Sequence, residues 1–211
     1  MPDKQRFALD IETISTTEDP DFNTPEHWIP FAVVVGHLND SRSEPEVEVI
    51  FREDSSIRAE ARMLNETIDW IADRCDSKNR ELLTYNGESY DIPILKHRAR
   101  EIRSVEPGLN IVERLVLLLE TATHTDLILK MKDRNGYWTS LDDALDEFDI
   151  DADSPEWMGR KVTGADMPSM GLELMSDRPN ADLRRAVTRY AASDVGPFFE
   201  LHDCLSQSMK S

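Results

Sequence analysis

Phe7-Ala8-Leu9-Asp10-Ile11-Glu12-Thr13 is an apolar run broken twice by acid, at a spacing of two. In an extended strand residues two apart share a face, so Asp10 and Glu12 point one way while Phe7, Leu9 and Ile11 point the other. Two like charges held side by side are costly unless the strand ends in water or a cation neutralises them. Taken alone the pair is equally well explained as solvated acids at a strand end, since the chain is acidic throughout. The run predicts a buried strand from Phe7 to Ile11. Working outward, Phe31 to His37 is a second apolar run and Glu46 to Phe51 an alternating third, so three strands precede any helix.

Beyond them the period changes. Ile57, Ala61, Leu64, Ile68 and Ile71 recur at steps of four and three, the stripe of an amphipathic helix, with Ser55 and Ser56 placed to cap it. Glu81 to Tyr85 predicts a short strand ending at Asn86-Gly87, and Ile92 to Ile102 a helix with Pro93 in its first turn. Thr125 to Met131 predicts another strand, Leu141 to Phe148 a short helix, and Ala181 to Gln207 a long helical segment. Asp149 to Asn180, rich in Pro, Gly and Asp, is expected to be loop, and Pro20 to Pro30 and Gly159 to Pro179 the most mobile parts. A three-strand meander followed by alternating helices and strands implies an α/β fold, a mixed sheet with helices on both faces. The 211 residues are expected to form one domain, and no internal repeat is present.

Composition narrows the setting. No run of eighteen apolar residues exists, so no membrane span is expected, and Met1 to Arg6 leads into a strand-like segment where a secretory signal would carry an apolar core. Cys75 and Cys204 lack zinc-site spacing and are too few for a disulfide scaffold, which fits a reducing cytoplasm. The net charge is -18, with 7 Lys against 17 Arg and 23 Asp against 19 Glu. Acid distributed in this way keeps a surface hydrated in concentrated salt, as in a halophile's cytoplasm; apolar periodicity argues against a disordered acidic chain. The charge does not exclude a nucleic-acid partner. At high salt counterion release contributes little, and binding rests on stacking, hydrogen bonds and metal bridges to phosphate.

Two further segments carry acid in defined settings. Leu82-Leu83-Thr84-Tyr85-Asn86-Gly87-Glu88-Ser89-Tyr90-Asp91 is a strand, a tight turn and a helix start, where Asp91 could equally be a helix cap. In Arg189-Tyr190-Ala191-Ala192-Ser193-Asp194-Val195, Tyr190 and Asp194 stand one helical turn apart on one face; a core tyrosine beside an exposed aspartate is the ordinary alternative. Lys96, His97, Arg98, Arg100 and Arg103, with Lys130, Lys132 and Arg134, could follow a phosphate backbone or simply face water among acids.

In this order the three acidic segments resemble the exonuclease motifs of the DnaQ-like family, most closely the exonuclease domain of family B DNA polymerases. Asp10 and Glu12 match the first motif, Asn86, Tyr90 and Asp91 the second, and Tyr190 and Asp194 the third, with the tyrosine-subgroup (DEDDy) spacing. Position 189 is arginine, which excludes the histidine subgroup. The resemblance runs from about Phe7 to Leu201 and implies a free-standing exonuclease with a ribonuclease H-like fold. His124 and Asp126 resemble a supporting pair that follows the second motif, either hydrogen-bonded behind the site or merely ending a strand. Gly196-Pro197 departs from the pattern, and since proline inside a helix costs about 3 kcal/mol a kink or restart is expected there.

The resemblance implies two divalent cations, Mg2+ or Mn2+, held by Asp10, Glu12, Asp91 and Asp194. Carboxylate oxygens suit such hard ions, and a metal pair can stabilise both the attacking and the leaving oxygen of an in-line phosphodiester hydrolysis. Tyr190 would orient the attacking water, while Ile11, Thr13, Asn86 and Tyr90 would contact the terminal nucleotide. The implied substrate is the 3' end of single-stranded nucleic acid, DNA before RNA, with a replication or repair protein as a possible partner. The rivals are a catalytically silent nucleic-acid-binding module, an RNA-trimming exonuclease and a small metal-dependent phosphatase. No motif here encodes a contact to the 2'-hydroxyl that would separate DNA from RNA.

Overall fold

The apolar run that opens the chain becomes the long central strand β1, Gln5–Ser15. The computed structural model describes residues 5–39, 44–74, 79–176 and 180–208. Cys75 and the end of the 159–179 segment lie outside the described residues. β1 is followed antiparallel by β2, Trp28–Leu38, and β2 by β3, Glu46–Phe51. β4, Arg80–Thr84, and β5, Ala122–Asp126, run parallel to β1 and complete a five-stranded sheet of order β3-β2-β1-β4-β5. Parallel strands need crossovers, and two helical segments supply them. α1, Ile57–Arg74, joins β3 to β4, while α2, Asp91–Val105, and α3, Ile111–Thr121, join β4 to β5. α4, Leu127–Asn135, and α5, Leu141–Glu147, follow. A two-strand hairpin comes next, β6 at Glu156–Trp157 and β7 at Arg160–Lys161. The last helices are α6, Met167–Leu174, α7, Ala181–Val195, and α8, Phe198–Ser208.

Strand alternation divides the core in two. Phe7, Leu9 and Ile11 face one way and pack with Val33 and Val35 against α1, α2 and α3. Ala8 faces the other way with Val34, into a second core built from α4 to α8. Asp10 and Glu12 continue the Ala8 face, so the acids are directed toward α6 and α7. The mixed sheet covered on both faces is the arrangement expected from the sequence.

Two expectations are corrected, and one helix was not foreseen. Thr125–Met131 is not a strand: the strand ends at Asp126, and Leu127 to Asn135 is helical, burying Leu127 and Met131 four residues apart. Asp149 to Asn180 is not simply loop, because it contains the β6–β7 hairpin and α6, whose Met167, Met170 and Leu174 are buried at helical spacing. α3, which fills the second crossover, has no counterpart in the sequence reading. The expected restart at Gly196-Pro197 is present. α7 ends at Val195, and Pro197 immediately precedes α8, its carbonyl accepting the first helical bond from the Leu201 N–H at 3.0 Å.

Close backbone approach brings the acidic face together. A bulge between Glu12 and Thr13 leaves Phe31 unpaired in β2 and turns it onto the same face as Ala32, beneath α6. A methyl group at Gly171 of α6 would stand 2.5 Å from Phe31 Cδ1, and one at Gly36 of β2 would stand 3.0 Å from Val195 and Phe199. Glycine at both places lets the helices settle on the sheet.

On the opposite face a buried ion cluster ties the crossovers together. Glu60, fully buried on α1, accepts from Arg98 of α2 at 2.6 and 2.7 Å and pairs with Arg52 at 3.2 Å. Arg98 is therefore committed to the interior instead of to a phosphate backbone. Arg103 pairs with Glu113, and Arg134 with Glu147. Among the described residues no helix is long and apolar enough to cross a membrane, and Cys204 is a free thiol.

Gly171→Ala tests the close approach. Alanine favours a helix by up to about 1 kcal/mol over glycine, but overpacking a buried ring costs about 1–3 kcal/mol. A net loss of stability is expected in urea denaturation, and a gain would show that the contact has slack.

Candidate active site

β1 and β4 pair only from Gln5–Arg80 to Ala8–Leu83. Beyond Ala8 the strands part, and the Ile11 N–H that a strand neighbour would otherwise take donates instead to Asp91 Oδ1 at 3.0 Å. The first-turn acid of α2 thus replaces a strand. Tyr90, not Asp91, occupies the cap position, and its side chain makes no capping bond. The Asp91 carboxylate is turned inward, 2% exposed. This reverses the ordinary explanation of Asp91 as a helix cap.

Asp10 and Glu12 meet Asp194 from α7, and one carboxylate oxygen of each lies within 4.8 Å of the others. Tyr190, one turn before Asp194, lines the same cavity with it, so the helical spacing delivers both groups to one place. The restart at Pro197 comes after Asp194 and leaves its direction intact.

The cluster is electrostatically costly. Burial, followed by Asp91, Glu12 and Asp194, raises the Asp10 carboxyl well above the usual range. Burial raises Glu12 to about 8, with Asp194 and Asp91 adding to it. Burial also lifts Asp91 to about 7 against the pull of backbone N–H groups. Asp194 is lifted to about 7 by burial and by Asp142, with Tyr190 and Lys161 opposing. The Tyr190 hydroxyl is pushed up by burial and by the acids, so it is a proton donor at neutral pH. Buried carboxylates that repel one another are stable only when protonated or when positive charge is supplied. Glu12 Oε1 is buried and has no hydrogen-bond partner in the structure, an oxygen oriented for a ligand that is not protein. An all-carboxylate donor set fits a hard divalent cation.

The remaining sequence-predicted residues surround the cluster. Thr13 Oγ1 and the Tyr90 hydroxyl are 2.7 Å apart, which fixes Tyr90 at the edge of the site. Ile11 contributes its backbone N–H, while its side chain packs in the core of the other face. Asn86 takes a left-handed conformation, φ 65°, at the turn after β4. Asp126 holds that turn, accepting from the Asn86 and Glu88 N–H groups, both at 2.8 Å. His124 does not partner Asp126 by hydrogen bond; it pairs with Thr84 Oγ1 at 2.9 Å. Thr84 also lies under Gly87, where a methyl group would stand 2.5 Å from its Cβ.

Other neighbours were not legible from sequence. Lys161 of β7, Asp142 of α5 and Gly164 line a cavity of about 130 Å3 against Tyr190 and Asp194. They come from the 141–164 stretch, whose sequence pattern announces no motif. Phe22, Trp28 and Trp138 lie near Tyr90 but come from a loop, the start of β2 and a second loop over a hundred residues on, so no spacing could have joined them.

Comparison with known proteins bears on the fold. Exonuclease I from an ExoI/SSB-Ct complex superposes with a TM-score of 0.51 at 14% identity, covering 98% of this chain and 41% of that one. A second exonuclease I structure gives a TM-score of 0.49 at 13% identity, covering 71% of this chain and 36% of that one. The chain therefore spans less than half the length of these proteins, and at such identities the likeness concerns fold alone. No curated protein sequence matches significantly. The RNase H superfamily profile matches residues 9–205, from the strand that carries Asp10 and Glu12 to the last helix. With that match joined to the mixed five-stranded sheet, the chain belongs to the RNase H superfamily.

Proposed function

We propose that residues 1–211 form one metal-dependent 3'-5' exonuclease domain of the DnaQ-like tyrosine subgroup. It would hydrolyse single-stranded nucleic acid from its 3' end, DNA in preference to RNA, and release nucleoside 5'-monophosphates. The observation that carries this is the convergence of Asp10, Glu12 and Asp194 within 4.8 Å, with Asp91 turned toward the same strand. The DNA preference rests on the resemblance to polymerase-linked exonuclease domains. The acidic surface supports a protein adapted to concentrated salt, working in a cytoplasm.

Asp10, Glu12, Asp91 and Asp194 would hold two divalent cations, Mg2+ or Mn2+, whose formal charge balances that of the four carboxylates. When bound, such ions supply electrostatic stabilisation of the attacking and leaving oxygens. The protein's part is geometric. Ile11 N–H fixes Asp91, and Tyr190, its hydroxyl held protonated at neutral pH, would orient the attacking water by hydrogen bonding and not as a base. Water oxygen joins phosphorus, the bond from phosphorus to the penultimate 3' oxygen breaks, and that oxygen leaves with a proton. Asp126 holds the Asn86 turn, and Thr13 holds Tyr90, so that both can meet the terminal nucleotide.

Asp10→Ala and Asp194→Ala should each lower mononucleotide release by about 10^3-fold or more, since losing a shared charged ligand removes several kcal/mol of stabilisation. Tyr190→Phe should cost less, about 10- to 100-fold. Release from a 5'-labelled single strand in molar KCl with Mn2+ measures all three, and full activity in either aspartate variant would defeat the assignment. A second outcome concerns pH. The folded-state carboxyl pKa values lie above ordinary carboxylate values, so the stability these groups contribute is present below about pH 4 and lost as pH rises through 7 to 8. Metal-free protein should therefore gain more in Tm from added Mn2+ at pH 8.5 than at pH 6. An equal gain in Asp10→Ala would place the ion elsewhere.

A further inference from the structure

Beside the carboxylates lies a groove of about 360 Å3 lined by Phe22, Asn23, Asn86, Ser89, Tyr90, Ile128 and Trp138. Two of its walls are large aromatic side chains left mostly in water: Phe22 is 67% exposed and Trp138 is 56% exposed. Each ring is supported from behind. Phe22 stacks on Trp28 with centroids 5.0 Å apart, and Trp28 in turn meets Tyr90 edge-on at 5.5 Å. The ammonium of Lys132 sits 3.8 Å from the centroid of Trp138, covering one face of the indole. One face of each ring is thus engaged by protein.

The loops that carry the rings are also pinned. Asp21 accepts from the Asn23 N–H at 2.9 Å and from Thr24 Oγ1 at 3.2 Å, and its carbonyl accepts from Trp28 Nε1 at 3.0 Å. The Tyr85 hydroxyl donates to the Thr139 and Ser140 carbonyls at 2.7 and 3.0 Å, fixing the segment after Trp138. Between the walls, Asn23, Asn86 and Ser89 offer donors and acceptors suited to a base edge. Rigid aromatic walls, a polar floor and adjacency to the site through Tyr90 describe a receptor for a planar heterocycle. They do not describe a receptor for a phosphate chain.

We propose that the Phe22–Trp138 groove is a stacking site for an unpaired base near the 3' end, and that it makes the enzyme prefer single strands to paired ends. This rests on the exonuclease reading above. Neither residue belongs to the three acidic motifs. Stacking holds the strand without a basic surface, so a chain of net charge -18 can bind nucleic acid where salt suppresses attraction to phosphates. A base already paired within a duplex must leave its stack before it can enter, which penalises duplex ends.

The test uses the full chain with Mn2+ and a 5'-labelled oligonucleotide, with urea denaturation to check folding. Phe22→Ala and Trp138→Ala should each raise KM about tenfold, the size of one lost base stack, and leave kcat within about twofold. Trp138→Phe should restore most of the loss. An abasic scan of the last three positions should find one where wild type loses a similar factor and Trp138→Ala loses nothing further. The ratio of single-strand to blunt-duplex rates should fall in the double variant. Wild-type KM in both alanine variants, or an undiminished penalty at every abasic position, overturns the proposal. A wild type that releases no mononucleotide overturns the underlying function instead.

Discussion

The structure is organised around mutual repulsion: half-buried Asp10 and Asp194 converge with buried Glu12, one carboxylate oxygen of each within 4.8 Å of the others, and buried Asp91 adds to the repulsion on Asp10. Folding against such repulsion requires that surrounding elements fix each carboxylate by other means. Asp10 and Glu12 ride on the central strand, whose apolar face packs under α1 to α3. Asp91 is held by the N–H that the parting of β1 and β4 leaves available. Asp194 is brought down by α7, seated closely over Gly36. The packing energy is distributed over two cores, and the charge is concentrated between them.

That division explains why the alternation of one short strand matters so much. A one-residue slip of β1 would place Phe7, Leu9 and Ile11 over the acidic partners and drive Asp10 into the apolar core. The bulge at Glu12 and Thr13 ends the regular register where the site begins, and it delivers Phe31 to fill the space under Gly171. The buried Arg52–Glu60–Arg98 cluster on the far face locks the crossovers that aim α2, and hence Asp91, at the strand.

Much of this was legible in the residues. The Asp10-Ile11-Glu12 alternation, the Asn86-Gly87 turn and the Tyr190 to Asp194 spacing are local patterns whose geometry follows from strand and helix periods. What escaped depended on tertiary context. Leu127-Ile128-Leu129 is apolar enough for strand or helix, and burial of Leu127 with Met131 decided for helix. Met167, Met170 and Leu174 had helical spacing, but the prolines and glycines around them suggested loop. His124 and Asp126 were read as hydrogen-bonded behind the site or merely ending a strand; β5 does end at Asp126, while His124 pairs with Thr84 and Asp126 with the Asn86 turn. The aromatic groove joins residues more than a hundred positions apart, and sequence has no pattern for that.

The central claim is that this repulsion exists to be neutralised by divalent cations. Anomalous diffraction from crystals grown with saturating Mn2+ tests it most directly. The account predicts two anomalous peaks within bonding distance of Asp10, Glu12, Asp91 and Asp194, both weakened or lost in Asp10→Ala. A well-ordered cluster without anomalous density, its carboxylates bridged only by protons and water, would contradict it.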